Sequence, residues 1–93
     1  MPDIDLKPKA KKFIEKLPPK HKRQIKDRIK LLQDEPEPHD AKKLLGYEDY
    51  VRVDMGEYRI IYRYEQENDL VIIVLVGKRD DDQIYRLAKR TLT

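Results

Sequence analysis

The chain has 93 residues, 42% of them charged and 39% hydrophobic, with a formal net charge of +3. That length fits one small domain, 1–93, with a lean core. With no cysteine and only two scattered histidines, His21 and His39, neither a disulfide framework nor a metal or cofactor is expected. No apolar run approaches the roughly 20 residues that cross a bilayer, and the polar N-terminus carries no signal-peptide pattern, so no membrane association and a cytoplasmic location are expected.

In chain order, Asp3-Ile4-Asp5-Leu6-Lys7 alternates charged and apolar, as a short half-buried strand does. From Pro8 to Leu17 the apolar residues Ala10, Phe13, Ile14 and Leu17 fall on one helical stripe, with Pro8 tolerated in the first turn. Pro18-Pro19 stops that helix and starts a second, predicted from Pro19 to Glu35 with Ile25, Ile29 and Leu32 as its stripe and Leu31 on the flank. Pro36-Glu37-Pro38 then breaks the pattern and predicts a loop to about Lys42.

Beyond the loop the period falls to two. Tyr50, Arg52 and Asp54 alternate with Val51, Val53 and Met55 in a predicted strand. Met55-Gly56 is the expected tight turn, followed by a strand from Glu57 to Tyr64 rich in Tyr and Ile. A polar turn over 65–69 leads to Leu70-Val71-Ile72-Ile73-Val74-Leu75-Val76, apolar on both faces like a covered central strand. Asp80 to Asp82 suit the first turn of a last helix carrying Ile84, Leu87, Ala88 and Leu92. The predicted order is β-α-α-β-β-β-α. It is an α+β domain with a mostly antiparallel sheet of about four strands backed by an N-terminal helical hairpin.

Classical catalytic motifs are absent. There is no serine, no cysteine and no phosphate-binding glycine loop, so any chemistry falls to Arg, Lys, Tyr, Asp, Glu and His. Bulk charge points to residues 1–43, which hold 13 Lys/Arg against 8 Asp/Glu, while 44–93 hold 8 against 10. Charged residues inside the predicted strands point elsewhere. Arginines on adjacent strands of one sheet make a basic face able to hold a phosphodiester through bidentate hydrogen bonds.

Lys43-Leu44-x-Gly46, then Arg52, Gly56-x-Tyr58-Arg59-x3-Arg63, and Val76-Gly77-Lys78-Arg79-x5-Tyr85 together resemble the RelE family of toxin–antitoxin systems. The resemblance covers nearly the whole chain. It implies a toxin that acts as a metal-independent, ribosome-dependent mRNA endoribonuclease, entering the ribosomal A site and inhibiting translation. The RNA 2′-hydroxyl attacks the adjacent phosphate, so no protein nucleophile is needed. It further implies a cognate RelB-like antitoxin as partner.

Carried over by position, Arg59 and Arg79 match arginines that stabilise the phosphate, and Tyr85 matches a tyrosine that stacks on or orients the cleaved nucleotide. Arg52 stands where the family often has a lysine, and Lys43, Arg63 and Lys78 join it as expected RNA contacts. Asp54 departs from the family pattern, standing near a second lysine of some members. Two readings apply to it: an ion pair with Arg52 or Arg59, and a general base. The same fold also serves ParE-like toxins that poison DNA gyrase. A third reading is a catalytically weak RelE-like protein that mainly binds its antitoxin.

Overall fold

The computed structural model describes residues 2–79 and 83–92. Eight elements follow one another: β1 (Asp3–Leu6), α1 (Pro8–Glu15), α2 (Pro19–Asp34), β2 (Lys42–Leu44), β3 (Tyr47–Met55), β4 (Tyr58–Glu65), β5 (Leu70–Lys78) and α3 (Gln83–Leu92). The sheet has five strands in the order β1-β5-β4-β3-β2. All neighbours are antiparallel except β1 and β5, which run parallel. The fold is α+β as expected, with one strand more than the sequence indicated. The addition is β2, three residues that begin at Lys42, where the expected loop was to end, and pair with β3.

Each element buries the stripe its sequence carries. Ala10 and Ile14 of α1, with Ile25, Ile29 and Leu32 of α2, pack on one sheet face against Val53, Tyr58, Ile60, Tyr62, Val71, Ile73 and Val76. Leu31 lies outside that stripe and is exposed. The opposite sheet face buries Leu44, Ile61, Ile72, Val74 and Leu75 against Ile84 and Ala88 of α3. Burying aliphatic side chains of this size stabilises by roughly 1.5–3 kcal/mol each.

Alternation along β5 breaks at its centre. Ile61 pairs with Leu75 but Tyr62 pairs with Ile73, so Val74 is an extra residue and both Val74 and Leu75 turn toward α3. The bulge changes the phase of β5 and sets Gly77 on the α3 face, opposite Arg59. A Cβ on Gly77 would meet three atoms of Ile84 at 3.1–3.3 Å. Glycine here lets the start of α3 settle onto the sheet.

The β3–β4 loop is Gly56-Glu57, one residue later than the sequence suggested, with Gly56 at φ +60°. Glycine at the first of two loop residues, with positive φ, suits the tight hairpin class whose twist matches the strands. The shift matters because it sets register. A Met55-Gly56 loop would have placed Asp54 opposite Glu57; the observed loop places Asp54 opposite Arg59. The acids expected to cap the last helix, Asp80 to Asp82, lie outside the described residues.

Candidate RNA-binding face

Antiparallel pairing sets Asp54 and Arg59 side by side on the α3 face of the sheet. Arg59 grips the carboxylate with two of its three guanidinium nitrogens, Nε to Oδ1 at 2.8 Å and Nη2 to Oδ2 at 3.3 Å. The pair is sheltered, with Arg59 13% and Asp54 35% exposed along the side chain. The hydrogen bonds from Arg59 hold the Asp54 carboxyl below the usual aspartate range, and the charges of Arg59, Arg52 and Arg79 act in the same direction. The same bonds raise Arg59. Of the two readings for Asp54, the structure shows the ion pair, and its partner is Arg59.

Nη1, the remaining guanidinium nitrogen of Arg59, donates to the Tyr85 hydroxyl. Tyr85 stands on α3 with 38% of its surface exposed, its ring centroid 5.8 Å from the Arg59 guanidinium carbon. Ile84, the residue before it, is the one seated on Gly77. A close helix–strand approach therefore delivers the tyrosine to the arginine.

Arg79 reaches the same corner from the end of β5. Its backbone N–H donates to the Glu57 carbonyl of the hairpin loop at 3.0 Å, and its side chain is exposed. Arg52 precedes Asp54 by two residues on β3 and so shares its face. One guanidinium thus grips the carboxylate and the charges of two more act on it, with a phenol beside the first.

The other expected contacts are not brought into this group. Lys78 pairs with Tyr58, a residue of the helical-hairpin face, and so stands on the opposite side of the sheet. Lys43 pairs with Val51, which also packs toward the helical hairpin. Arg63 shares the face of Arg59 but lies four residues along β4, about 13 Å away. There it faces Glu65 at 3.5 Å. His21 is engaged elsewhere, with its Nδ1 2.6 Å from the Tyr58 hydroxyl, and His39 is exposed. Among the described residues no three His, Cys, Asp or Glu side chains gather as metal ligands.

Sequence reasoning gave no role to two residues that the register sets on this face, Gly77 and Lys42. Gly77 appeared as part of a motif without a role; a lone glycine in an apolar strand is the available sign of close backbone approach. Lys42 was passed over for its neighbour, because choosing between adjacent lysines requires the pairing register.

An open sheet with this helical hairpin, this C-terminal helix and a guanidinium corner between them falls among the small toxins of type II toxin–antitoxin systems. The chain belongs to the RelE/ParE superfamily, since the model of the ParE toxin of the type II toxin–antitoxin system parDE matches residues 4–83. Several solved structures share the fold. The isolated E. coli RelE toxin is 23% identical with a TM-score of 0.75, covering 100% of both chains. The RelE of an archaeal RelE–RelB complex from Pyrococcus horikoshii is 26% identical with a TM-score of 0.73, over 84% of this chain and 94% of that one. The toxin–antitoxin complex RelBE2 from Mycobacterium tuberculosis gives 26% and 0.74, over 85% and 92%. Comparison with curated proteins finds no match.

Proposed function

We propose that this toxin cleaves mRNA on the ribosome, using the Arg52, Arg59, Arg79 and Tyr85 corner to bind the scissile phosphodiester. The observation that carries the reading is Arg59, held between Asp54 and Tyr85 with two further arginines acting on the same carboxylate. In such a cleavage the RNA O2′ forms a bond to phosphorus as the bond from phosphorus to O5′ breaks, and the proton lost by the 2′-hydroxyl is balanced by one gained at O5′. A 2′,3′-cyclic phosphate and a free 5′-hydroxyl result. No protein nucleophile takes part, in keeping with a chain that has neither serine nor cysteine.

Negative charge grows on the non-bridging oxygens during that step, and preorganised guanidinium groups are the donors suited to it. Arginine stays protonated and does not shuttle protons, so these residues supply charge and orientation. An arriving phosphate competes with Asp54 for Arg59. The carboxylate therefore keeps Arg59 in position at the expense of affinity, and the rate is expected to be modest for that reason. Tyr85, exposed beside the guanidinium, is placed to stack on an unstacked base.

A RelB-like antitoxin is the proposed partner, by analogy with the P. horikoshii and M. tuberculosis complexes. The proposed compartment is the cytoplasm, where ribosomes and mRNA lie; among the described residues no helix is long and apolar enough to cross a membrane. The test is induction of the protein with mapping of mRNA 5′ ends and translation rate. Intact mRNA and continued translation in healthy cells would reject the nuclease.

The second reading, a gyrase poison, is favoured by the ParE family model. The matched stretch ends at residue 83, two residues before Tyr85, so it leaves out most of the helix that completes the corner. Inhibition of gyrase supercoiling together with a DNA-damage response would support this alternative over RNA cleavage.

A further inference from the structure

We infer that Lys42, on the edge strand β2, is an RNA-phosphate contact and extends the arginine face beyond Arg52, whereas the adjacent Lys43 is not. This inference rests on reading that face as a phosphodiester site.

Register separates the two lysines. Directly opposed residues in an antiparallel pair project to the same side of a sheet. Lys42 is opposite Arg52, and Lys43 is opposite Val51. Val51 packs with the helical-hairpin core, and Ala41, two residues before Lys43, packs there as well. Leu44, two residues after Lys42, is buried in the cluster under α3. The register shifts between Lys43 and Leu44, so the pairing of Lys42 with Arg52 and of Lys43 with Val51 decides the facing. Lys42 stands on the face of Arg52, Asp54, Arg59 and Tyr85, and Lys43 stands on the far face.

The Lys42 side chain is exposed and has no ion-pair or hydrogen-bond partner among the described residues. Among the described residues no acid neutralises its charge, in contrast to Arg59, which is tied to Asp54. Two strand spacings separate β2 from β4, roughly 10 Å in all. Lys42 thus stands two strands from Arg59, on the outer side of Arg52, where an RNA strand held at Arg59 would pass on toward the sheet edge. A lysine suits that peripheral role, since it acts as a point charge without demanding the fork geometry of a bidentate contact.

Lysines on an edge strand also discourage other chains from pairing with it. Lys42 and Lys43 would share that role equally. They carry the same charge one residue apart, so bulk electrostatics treats them alike as well. Only a contact with the arginine face separates them, and each is the other's control.

The experiment compares full-length Lys42→Ala and Lys43→Ala. The first measurement is binding of a short oligoribonucleotide made non-cleavable by 2′-O-methylation, over a range of salt. The second is cleavage of mRNA on programmed ribosomes. Losing one single-strand phosphate contact should weaken binding about fivefold and reduce the slope of log affinity against log salt by about 0.7. Lys42→Ala should show both changes and a raised KM with kcat within about twofold, the pattern of lost uniform binding. Lys43→Ala should match the wild type.

Equal losses in both variants would overturn the inference in favour of bulk charge. No loss in either, or no RNA binding by the wild type, would overturn it too. If the wild type cleaves nothing yet binds RNA in a Lys42-dependent way, the nuclease reading fails and the phosphate contact stands.

Discussion

Asp54→Asn is the substitution that most directly exposes how this corner works. In the folded chain the carboxylate accepts two hydrogen bonds from Arg59 at 2.8 and 3.3 Å. At an effective dielectric near 20, unit charges about 4 Å apart attract by about 4 kcal/mol. Asp54 is 35% exposed, so solvent screening cuts the net worth of the pair to ~1 kcal/mol. The asparagine variant should therefore lose ~1 kcal/mol of folding stability, equivalent to about 4–8 °C in a domain of 60–100 residues. It should bind non-cleavable RNA about five- to tenfold more tightly, since the same ~1 kcal/mol no longer competes with the phosphate.

The pH dependence has a definite sign. A lowered folded pKa means that the stability from Asp54 is present above the unfolded aspartate value and is lost as pH falls through the folded one. The wild type should lose this increment on the acid side of the ordinary aspartate range, and the variant should not. Thermal melting and fluorescence anisotropy check both quantities. Unchanged or weaker RNA binding by the variant would refute the competition argument. A hundredfold fall in kcat at constant KM would instead make Asp54 a proton acceptor.

Further expectations concern the surrounding residues. Gly77→Ala should push Ile84 away from the sheet, costing about 1–3 kcal/mol as overpacking does, and should lower cleavage by displacing Tyr85 from Arg59; melting and turnover measure the two effects. Tyr85→Phe keeps the ring but loses the hydroxyl bonded to Arg59, so RNA binding should persist while kcat falls moderately. Tyr62→Phe removes the hydroxyl that donates to the Pro36 carbonyl at 2.8 Å, at a cost of about 1 kcal/mol. Burial pushes the Tyr62 hydroxyl up to about 12. The wild type should therefore lose stability as pH rises through the interval from about 10, the unfolded value, to about 12, and Tyr62→Phe should lose less. Alkaline melting curves test this.

Much of the fold was legible because its signals are local. The stripes Ala10-Ile14 and Ile25-Ile29-Leu32 each occupy one helical face, and both are buried as their spacing indicates. Strand β2 escaped detection because three residues, Lys42-Lys43-Leu44, carry almost no periodicity; β3 creates the strand by pairing with it. The bulge at Val74 escaped for a related reason. In a strand apolar on both faces, no alternation remains to reveal a change of phase.

The site was legible in its residue types but not in its geometry. Arg52, Arg59, Arg79 and Tyr85 were singled out by sequence, and the structure gathers them. Their relation to Asp54 depended on a hairpin loop one residue away from where glycine alone suggested it. Lys78 and Lys43 were expected beside them and stand on the opposite face, since a step of one residue along a strand reverses direction. Charge is written in composition, but facing is written in register.

The central claim is that this guanidinium corner promotes cleavage of RNA. Its most direct test is primer extension on mRNA bound to programmed ribosomes, comparing the wild type with Arg59→Ala at matched folded concentration. The account predicts discrete cleavage by the wild type and a loss of about a hundredfold or more in kcat for the variant, the scale for removing one preorganised transition-state donor. Cleavage by Arg59→Ala at the wild-type rate would contradict it.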